Sequence, residues 1–196
     1  RHIYLSERRP FDWPQRVVEA AKPFMRSVPK SALPRGLDLS VAPKPITQAQ
    51  AEAAGMSYLG CGVFRPDEAD IFGRVTPQAL LGRVTQTVGQ FTSAWPEMFL
   101  DDFGKNRQIS GALLEARVAL SEPVHPGQGY GFYSAITAVN PNVRTLVHKL
   151  FDVTTGAQIM SMQGVGCLID LGARKHVKTS GQTLDSMSAA AVDVAF

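Results

Sequence analysis

The chain has 196 residues, of which 44% are hydrophobic and 19% charged, and its formal net charge is +3. These values are those of an ordinary globular protein and exclude a disordered chain. The length allows one good core with appendages or two small domains, and we expect one domain with extensions. Because the positive charge is spread out, with no basic arm or stripe, we expect no nucleic-acid partner.

Two cysteines, Cys61 and Cys167, lie in apolar, strand-like runs, and neither has a second Cys or His at metal-ligand spacing. They predict buried, unpaired thiols in a reducing compartment, a cytoplasmic location and no bound metal. The sequence has no long apolar stretch and no charged-then-apolar leader, so we expect neither a membrane span nor a signal peptide. It also has no glycine loop of a nucleotide-binding type, so no cofactor is expected.

The N-terminal region, residues 1–54, is rich in proline and basic residues and predicts a wrapping or linking extension. We expect one short helix from Pro14 to Ala21. A second helix should begin at a capping box of Thr47 and Gln50 and end at Gly55. At the other end of the chain, residues 179–196 are rich in Ser and Ala and predict a frayed tail or a short docking helix.

The central region, residues 55–178, predicts the main domain. A short apolar strand comes first, and a helix with Thr76 as its N-cap and Pro77 as its first residue follows. Apolar residues then recur at three- and four-residue steps, which predicts one long amphipathic helix that ends at Pro96. Aromatic and Met residues near its end could line an acyl pocket or simply fill the core; they are Phe91, Trp95, Met98 and Phe99.

Four strand-like runs separated by turn signals follow this helix, over 113–120, 131–139, 143–153 and 158–171. One helix cannot cover both faces of a sheet. The pattern therefore predicts an α+β fold, in which a single curved antiparallel sheet wraps around one long central helix. His125 and His148 lie in this region without a partner at catalytic or ligand spacing, and His148 is expected to be structural or exposed at an edge.

The turn between the first strand and the long helix, residues 68–77, is the strongest candidate for chemistry. It places Asp70 just before a helix N-terminus, where unpaired N–H groups and the helix dipole favour an ionised carboxylate and an anion. A base beside an oxyanion site is the pairing that acyl transfer requires. The competing interpretation is that Asp70 only caps a turn that leads into Gly73.

The order of elements, the acidic turn and the long helix together resemble the hot-dog fold of acyl-CoA and acyl-carrier thioesterases, over about residues 56–178. The turn resembles the motif of the 4-hydroxybenzoyl-CoA thioesterase-like group, in which two acids two positions apart precede a glycine. Two further segments, 123–127 and 168–175, resemble the turn before the central strand and the closing strand of that group. The residues that carry the turn motif are Glu68, Asp70, Gly73, Arg74 and Val75.

This resemblance implies that Asp70 is the catalytic general base or nucleophile, with Glu68 in support. Arg74 stands where the group commonly has His, and the resemblance implies that it orients the site or meets an anionic substrate. Pro77 has no N–H to offer as an oxyanion donor, so the donor would be Gly73, Gln78 or another amide. Arg174 and Lys175 would meet the phosphates of the carrier or coenzyme, if they are not simply a solvated strand end.

The implied function is hydrolysis of an acyl-CoA or acyl-carrier thioester. Two alternatives stay open, namely an acyl-binding module without turnover and a part of a larger double hot-dog enzyme. In the second alternative, residues 1–54 include the tail of a preceding hot-dog unit. An open sheet edge and an uncovered helix flank also predict a homodimer or a higher oligomer.

Overall fold

The computed structural model describes residues 3–7, 9–96 and 108–196. It divides the chain into two compact units, Arg1–Arg35 and Gly36–Phe196. The predicted extension over residues 1–54 runs past this division, and its assignment to an extension or to a preceding unit stays a prediction. The N-terminal unit contains short elements that alternate with prolines; they are β1 (Ile3–Tyr4), β2 (Arg9–Pro10), α1 (Gln15–Ala21) and two 3-10 turns at Lys22–Phe24 and Lys30–Ala32.

The second unit is built on an antiparallel sheet with the order β3-β5-β6-β7-β4, and a sixth strand, β8, pairs with β7. This order brings the strand before the long helix and the strand after it to opposite edges of the sheet. The strands are β3 (Ser57–Val63), β4 (Ile109–Leu120), β5 (Gly129–Val139), β6 (Arg144–Asp152), β7 (Gln158–Asp170) and β8 (Lys175–Val177).

The long helix, α3 (Pro77–Thr92), packs on one face of this sheet, which we call the helix face. Thr76 is its N-cap, and the Thr76 hydroxyl accepts a hydrogen bond from the Ala79 N–H at 3.2 Å. The predicted α+β arrangement of one antiparallel sheet and one long helix is therefore confirmed. The core on this face joins residues of the helix to residues of the central strands, among them Leu80, Val84, Phe91, Phe132, Ile136, Leu150 and Met160.

The opposite face of the sheet, which we call the outer face, carries a second, smaller core. Helix α2 (Gln48–Ala53) has the predicted capping box, and its Ala51 is fully buried there. The segment after the last helix, α4 (Gly181–Ala189), also reaches this face, where Val194 packs into the same core. Helix α4 itself packs on the helix face, where its Met187 is buried in the core. Of the two alternatives for residues 179–196, the short docking helix is therefore the one that the structure shows.

Two predictions about local structure are corrected, and for His148 the structural alternative is the right one. Helix α3 ends at Thr92 rather than at Pro96, because Ser93 and Trp95 already close the C-terminus in turns. Cys61 is exposed, because it lies on an edge strand and points to the outer face, whereas Cys167 is buried. His148 is not at an edge: it is buried on the helix face of β6, with Nδ1 2.7 Å from the Ser134 hydroxyl, and burial lowers its pKa to about 4.

Lys149 is fully buried on the outer face, although no carboxylate of the described chain pairs with it. Its Nζ donates hydrogen bonds to the Gln158 side-chain oxygen at 2.9 Å and to the Ser161 hydroxyl at 3.0 Å. Because water is excluded, the charged amine is disfavoured, and burial lowers the pKa of Lys149 to about 8. A buried, unpaired amine is a cost that the rest of the fold must offset.

The stability of the protein is expected to rise with pH between about 8 and 10. In this window the unfolded chain still holds the Lys149 proton, whose ordinary pKa is 10.5, while the folded chain has lost it. The full effect corresponds to about 3 kcal/mol, at 1.36 kcal/mol per pKa unit. Above pH 10 the raised pKa of Tyr133, about 12, acts in the opposite direction. Urea unfolding at several pH values should therefore show a rise that Lys149→Met lacks, and an equal rise in both proteins would contradict the assignment.

Candidate functional site

The acidic turn lies where β3 leaves the sheet and α3 begins. A 3-10 turn, Pro66–Glu68, leads into it, and a loop then folds back so that Ala69 and Val75 form an antiparallel bridge. The Asp70 N–H donates to the Arg74 carbonyl at 2.7 Å. Gly73 has φ of +72°, a left-handed conformation in which only glycine is free of strain. The turn therefore holds its shape through its own backbone.

Asp70 lies inside this turn with its side chain 32% exposed. Its Oδ1 accepts hydrogen bonds from the N–H groups of Phe72 at 2.8 Å and Arg74 at 3.0 Å. Its Oδ2 accepts from the Arg74 guanidinium, from Nε at 3.3 Å and from Nη2 at 3.1 Å. These bonds, the Arg74 backbone bond first, hold the pKa of Asp70 below its ordinary value. The carboxylate is thus ionised at neutral pH, and both of its oxygens are occupied.

Glu68 points the other way, toward the body of α3. Its Oε1 forms a short charge-assisted hydrogen bond with the Arg83 guanidinium, and its Oε2 accepts from the Arg65 N–H at 2.8 Å. The two charged side chains are only 14% and 11% exposed. Burial opposes ionisation of Glu68, but the bonds from Arg65 and Arg83 outweigh it and leave its pKa below the ordinary value. Glu68 therefore connects the turn to the helix rather than facing a ligand.

The N-terminus of α3 offers one amide to a ligand. The Gly73 N–H is occupied by the Asp70 carbonyl at 2.9 Å, and the Thr76 N–H by the Glu68 carbonyl at 3.0 Å. Pro77 has no N–H. The Gln78 N–H forms no hydrogen bond with any residue of the described chain, and the Gln78 side chain is exposed. Of the predicted donors, Gln78 is therefore the amide that is available.

One neighbour of the turn was not expected from the sequence. His125 follows the edge strand β4, and its Nδ1 lies 2.8 Å from the Gly73 carbonyl oxygen. The Val75 N–H also donates to the Val124 carbonyl at 2.7 Å, so the loop after β4 supports the turn. The turn-like run of residues 123–127 was the available signal, but nothing in it indicated contact with Gly73. His125 is exposed.

The other predicted binding residues lie far from the turn. Asp70 follows the end of the sheet where Val63 pairs with Gly129. Arg174 and Lys175 follow Asp170 at the opposite end of β7. The 13 residues of β7 span about 40 Å at the usual rise per residue. Within one chain the structure therefore does not bring Arg174 and Lys175 to Asp70.

The aromatic residues at and just after the end of α3 are part of the core. Phe91 and Trp95 are buried and contact each other edge to face, with ring centroids 5.5 Å apart. The indole N–H of Trp95 donates to the Ser186 hydroxyl at 3.2 Å. Met98 and Phe99, the other residues considered for an acyl pocket, lie outside the described residues.

A cleft of about 700 Å³ lies on the outer face beside β3, and Val63 and Gly129, at the end of the sheet from which the turn follows, are part of its lining. None of the predicted site residues lines it. Its walls carry Tyr58, Cys61 and Tyr133, and the Tyr133 hydroxyl donates to Glu52 at 2.6 Å. Among the described residues, no group of His, Cys, Asp and Glu could hold a metal ion, and no helix is long and apolar enough to cross a membrane.

The turn can therefore present an ionised carboxylate beside the N-terminus of a helix whose first free amide is that of Gln78. An ionised carboxylate can take a proton from water or attack a carbonyl carbon, and a free amide can polarise a carbonyl oxygen. The Arg74 guanidinium binds Oδ2 of this carboxylate, so a reactant at that oxygen competes with Arg74. The same contacts would also serve a turn that has only a structural purpose.

No protein-family model matches the sequence, and neither does any curated protein. Solved structures do match. The 12:0-ACP thioesterase from Umbellularia californica has 14% identity and a TM-score of 0.59, and the match covers 71% of this chain and 52% of that one. A 1,4-dihydroxy-2-naphthoyl-CoA thioesterase from Synechocystis has 14% identity and a TM-score of 0.54, with 69% and 96% covered. A hypothetical protein from Staphylococcus aureus in complex with CoA has 10% identity and a TM-score of 0.59, with 72% and 90% covered.

The chain spans about half the length of the Umbellularia californica thioesterase and nearly all of the Synechocystis one. At these identities the likeness establishes the fold. The predicted sheet wrapped around a central helix is the architecture that these structures share, and the chain has the hot-dog fold.

Proposed function

We propose that the protein hydrolyses an acyl thioester carried by coenzyme A or an acyl-carrier protein, with Asp70 as the working carboxylate. The observation that carries this proposal is the ionised Asp70 carboxylate at the turn that precedes the central helix. The similar structures support it, because two of those described above are named thioesterases and the third was solved with CoA. No nucleic acid or membrane takes part in this proposal, and the protein acts in the cytoplasm.

In the proposed reaction the Gln78 N–H polarises the thioester carbonyl oxygen. Asp70 takes a proton from a water molecule as the water oxygen bonds to the carbonyl carbon. The carbon–sulfur bond then breaks, the sulfur leaves with a proton, and a free carboxylic acid and a thiol are released. In the alternative with a nucleophilic Asp70, its oxygen bonds to the carbonyl carbon and the carbon–sulfur bond breaks, which releases the thiol. Water then hydrolyses the resulting anhydride to the free acid and the Asp70 carboxylate.

Arg74 has a specific part in this proposal. Its guanidinium holds Asp70 Oδ2, so a reactant can reach that oxygen only when the Arg74 side chain swings away. The Arg74 side chain is 45% exposed, and no other described carboxylate holds it. It therefore keeps Asp70 oriented in the free protein and becomes available to an anionic group of the substrate. Glu68 supports the turn through Arg83, and Gly73 supports it through its backbone conformation.

A second candidate function is an acyl-binding module without turnover. It is favoured by the occupation of both Asp70 oxygens and of the Gly73 N–H, which leaves few groups free for catalysis. Hydrolysis assays with short, long and aromatic acyl-CoAs and with acyl-carrier thioesters distinguish the two functions. Release of thiol supports the enzyme, whereas saturable binding of acyl-CoA without release of thiol supports the binding module.

We also propose that the protein is a homodimer or a higher oligomer, or one half of a double hot-dog protein. Among the described strands β4 pairs with β7 alone, so one edge of this 12-residue strand is open for pairing. Light scattering should show at least twice the chain mass of 21.2 kDa. A monomer at high protein concentration would contradict self-association and would favour a hot-dog partner unit that precedes residues 1–54.

A further inference from the structure

Arg144 is a buried cation that has no ion-pair partner in the described part of the chain. It begins β6 on the helix face, where it pairs with Val139 of β5 and with Gly166 of β7. The residue is only 6% exposed. Its Nε is sealed from solvent without a hydrogen bond, and no described carboxylate forms an ion pair with it. Buried guanidinium groups are almost always paired, because removing the charge from water is costly.

The guanidinium of Arg144 lies close to the protein surface, although the residue as a whole is buried. Gly166 is its register partner on β7. On the next strand, a Cβ added to Gly111 would lie 3.4 Å from Arg144 Nη2. Gly111 is exposed on the edge strand β4. The guanidinium therefore ends next to an exposed part of the edge strand.

An exposed apolar strip continues along β4 from this point, on the same face. Val118 and Leu120 pair with core residues of β7, Met162 and Met160, which places them on the helix face. Leu113 pairs with Gly166 and is 60% exposed. The charged residues of β4 point to the outer face. Glu115 accepts a hydrogen bond from the Gly36 N–H at 2.8 Å, and Arg117 binds Gln163 and the carbonyls of residues 38 and 41. The strip, Leu113, Val118 and Leu120, therefore offers a ligand only apolar contacts.

We infer that Arg144 and this strip form a binding site for a carboxylate with an apolar tail. The planar guanidinium matches a carboxylate with two parallel hydrogen bonds, and one cation in an apolar setting balances a single negative charge. A phosphate monoester carries more charge and would need further donors. The tail would lie along Leu113 and Val118. This inference does not rest on the proposed hydrolysis, although a carboxylic acid with an apolar tail is the kind of product that hydrolysis releases.

Isothermal titration with dodecanoate below its micelle concentration tests the site. Wild type should bind dodecanoate saturably and much more tightly than dodecanol or dodecyltrimethylammonium. Arg144→Met keeps the apolar stem and removes the charge, so the affinity should fall about ten- to a hundredfold, as expected for charge-assisted hydrogen bonds. Arg144→Lys keeps the positive charge but loses the planar group that donates two parallel hydrogen bonds, so it should retain an intermediate affinity.

A second variant avoids the core altogether. Leu113→Glu changes an exposed residue and places a like charge where the tail should lie, so dodecanoate binding should be lost while the fold is kept. The matched control is Leu39→Glu, which changes an equally exposed leucine next to Asp38 on the outer face and should leave binding unchanged. Binding that is absent in wild type, equal for dodecanoate and dodecanol, or unaffected by both Arg144→Met and Leu113→Glu would overturn the inference.

Discussion

Asp70→Asn is expected to reduce thioester hydrolysis by about a hundred- to ten-thousandfold, which is the usual contribution of a general base. The amide oxygen of asparagine can still accept the hydrogen bonds from the Phe72 and Arg74 N–H groups, so the turn should keep its shape. What is lost is the negative charge that activates water or attacks carbon. Because Asp70 is partly exposed, loss of its ion pair with Arg74 should change the stability by less than about 1 kcal/mol.

The measurement is steady-state hydrolysis of the best thioester, with acyl-CoA binding and thermal unfolding measured on the same samples. If Asp70 only caps the turn, asparagine should substitute well, because Asn and Asp are nearly equal at such positions. If hydrolysis is unchanged in Asp70→Asn but lost in Glu68→Gln, the general base is Glu68 and not Asp70. A rate that survives both changes would place the site elsewhere in the protein.

The largest effect on stability is expected from Arg83→Leu. This change leaves the Glu68 carboxylate, which is 14% exposed, without its cation at the junction of turn and helix. Removing one partner of a buried ion pair typically costs about 3 to 5 kcal/mol. The Arg83 guanidinium also lies over the rings of Phe64 and Tyr130, at 5.6 and 5.2 Å from their centroids, and this packing is lost as well. Urea unfolding of the single variant measures the loss.

The double variant Glu68→Gln/Arg83→Leu distinguishes charge from packing. It removes the uncompensated carboxylate, so it should be more stable than Arg83→Leu alone. Arg65→Gln is the matched control, because its ion pair with Asp67 is exposed, with side chains 69% and 64% accessible, and should contribute less than about 1 kcal/mol. A double variant no more stable than Arg83→Leu would show that packing, not the charge of Glu68, dominates.

The elements could be predicted from the sequence because their signals are local. The three- and four-residue recurrence of apolar side chains marks α3, and turn residues bound each strand of the sheet. The capping box of Thr47 and Gln50 identified α2 from two residues. The family resemblance then named the fold, whereas the strand order, in which β4 pairs with β7 and not with β5, was not predicted. Strand β8 was missed because three exposed or half-buried residues, Lys175–Val177, carry no apolar alternation.

The candidate site was predicted only in part, because its contacts join residues far apart in the chain. The sequence places Glu68 and Asp70 two positions apart, which suggests a shared role, yet the structure gives them different cations, Arg83 and Arg74. Arg83 had no distinguishing signal, since a helix surface commonly carries arginine. Arg174 and Lys175 follow the last long strand in the sequence, but the direction of β7 carries them to the opposite end of the sheet. Burial of Lys149 depends on two chain segments that cover the outer face, α2 before the first strand of the sheet and the segment around Val194 after the last one.

The C-terminal residues 192–196, which cover part of the outer face, are the last to be synthesised. The Val192 N–H donates to the Ile136 carbonyl, and the Lys44 N–H donates to the Phe196 carbonyl, so a segment that follows every strand completes the outer face. A ribosome delivers residues 192–196 only after the whole sheet and central helix have been made. Until then the Lys149 side of the sheet stays open to water, and its amine stays hydrated. The cost of dehydrating that amine therefore falls on the last step of assembly, when the central core is already in place.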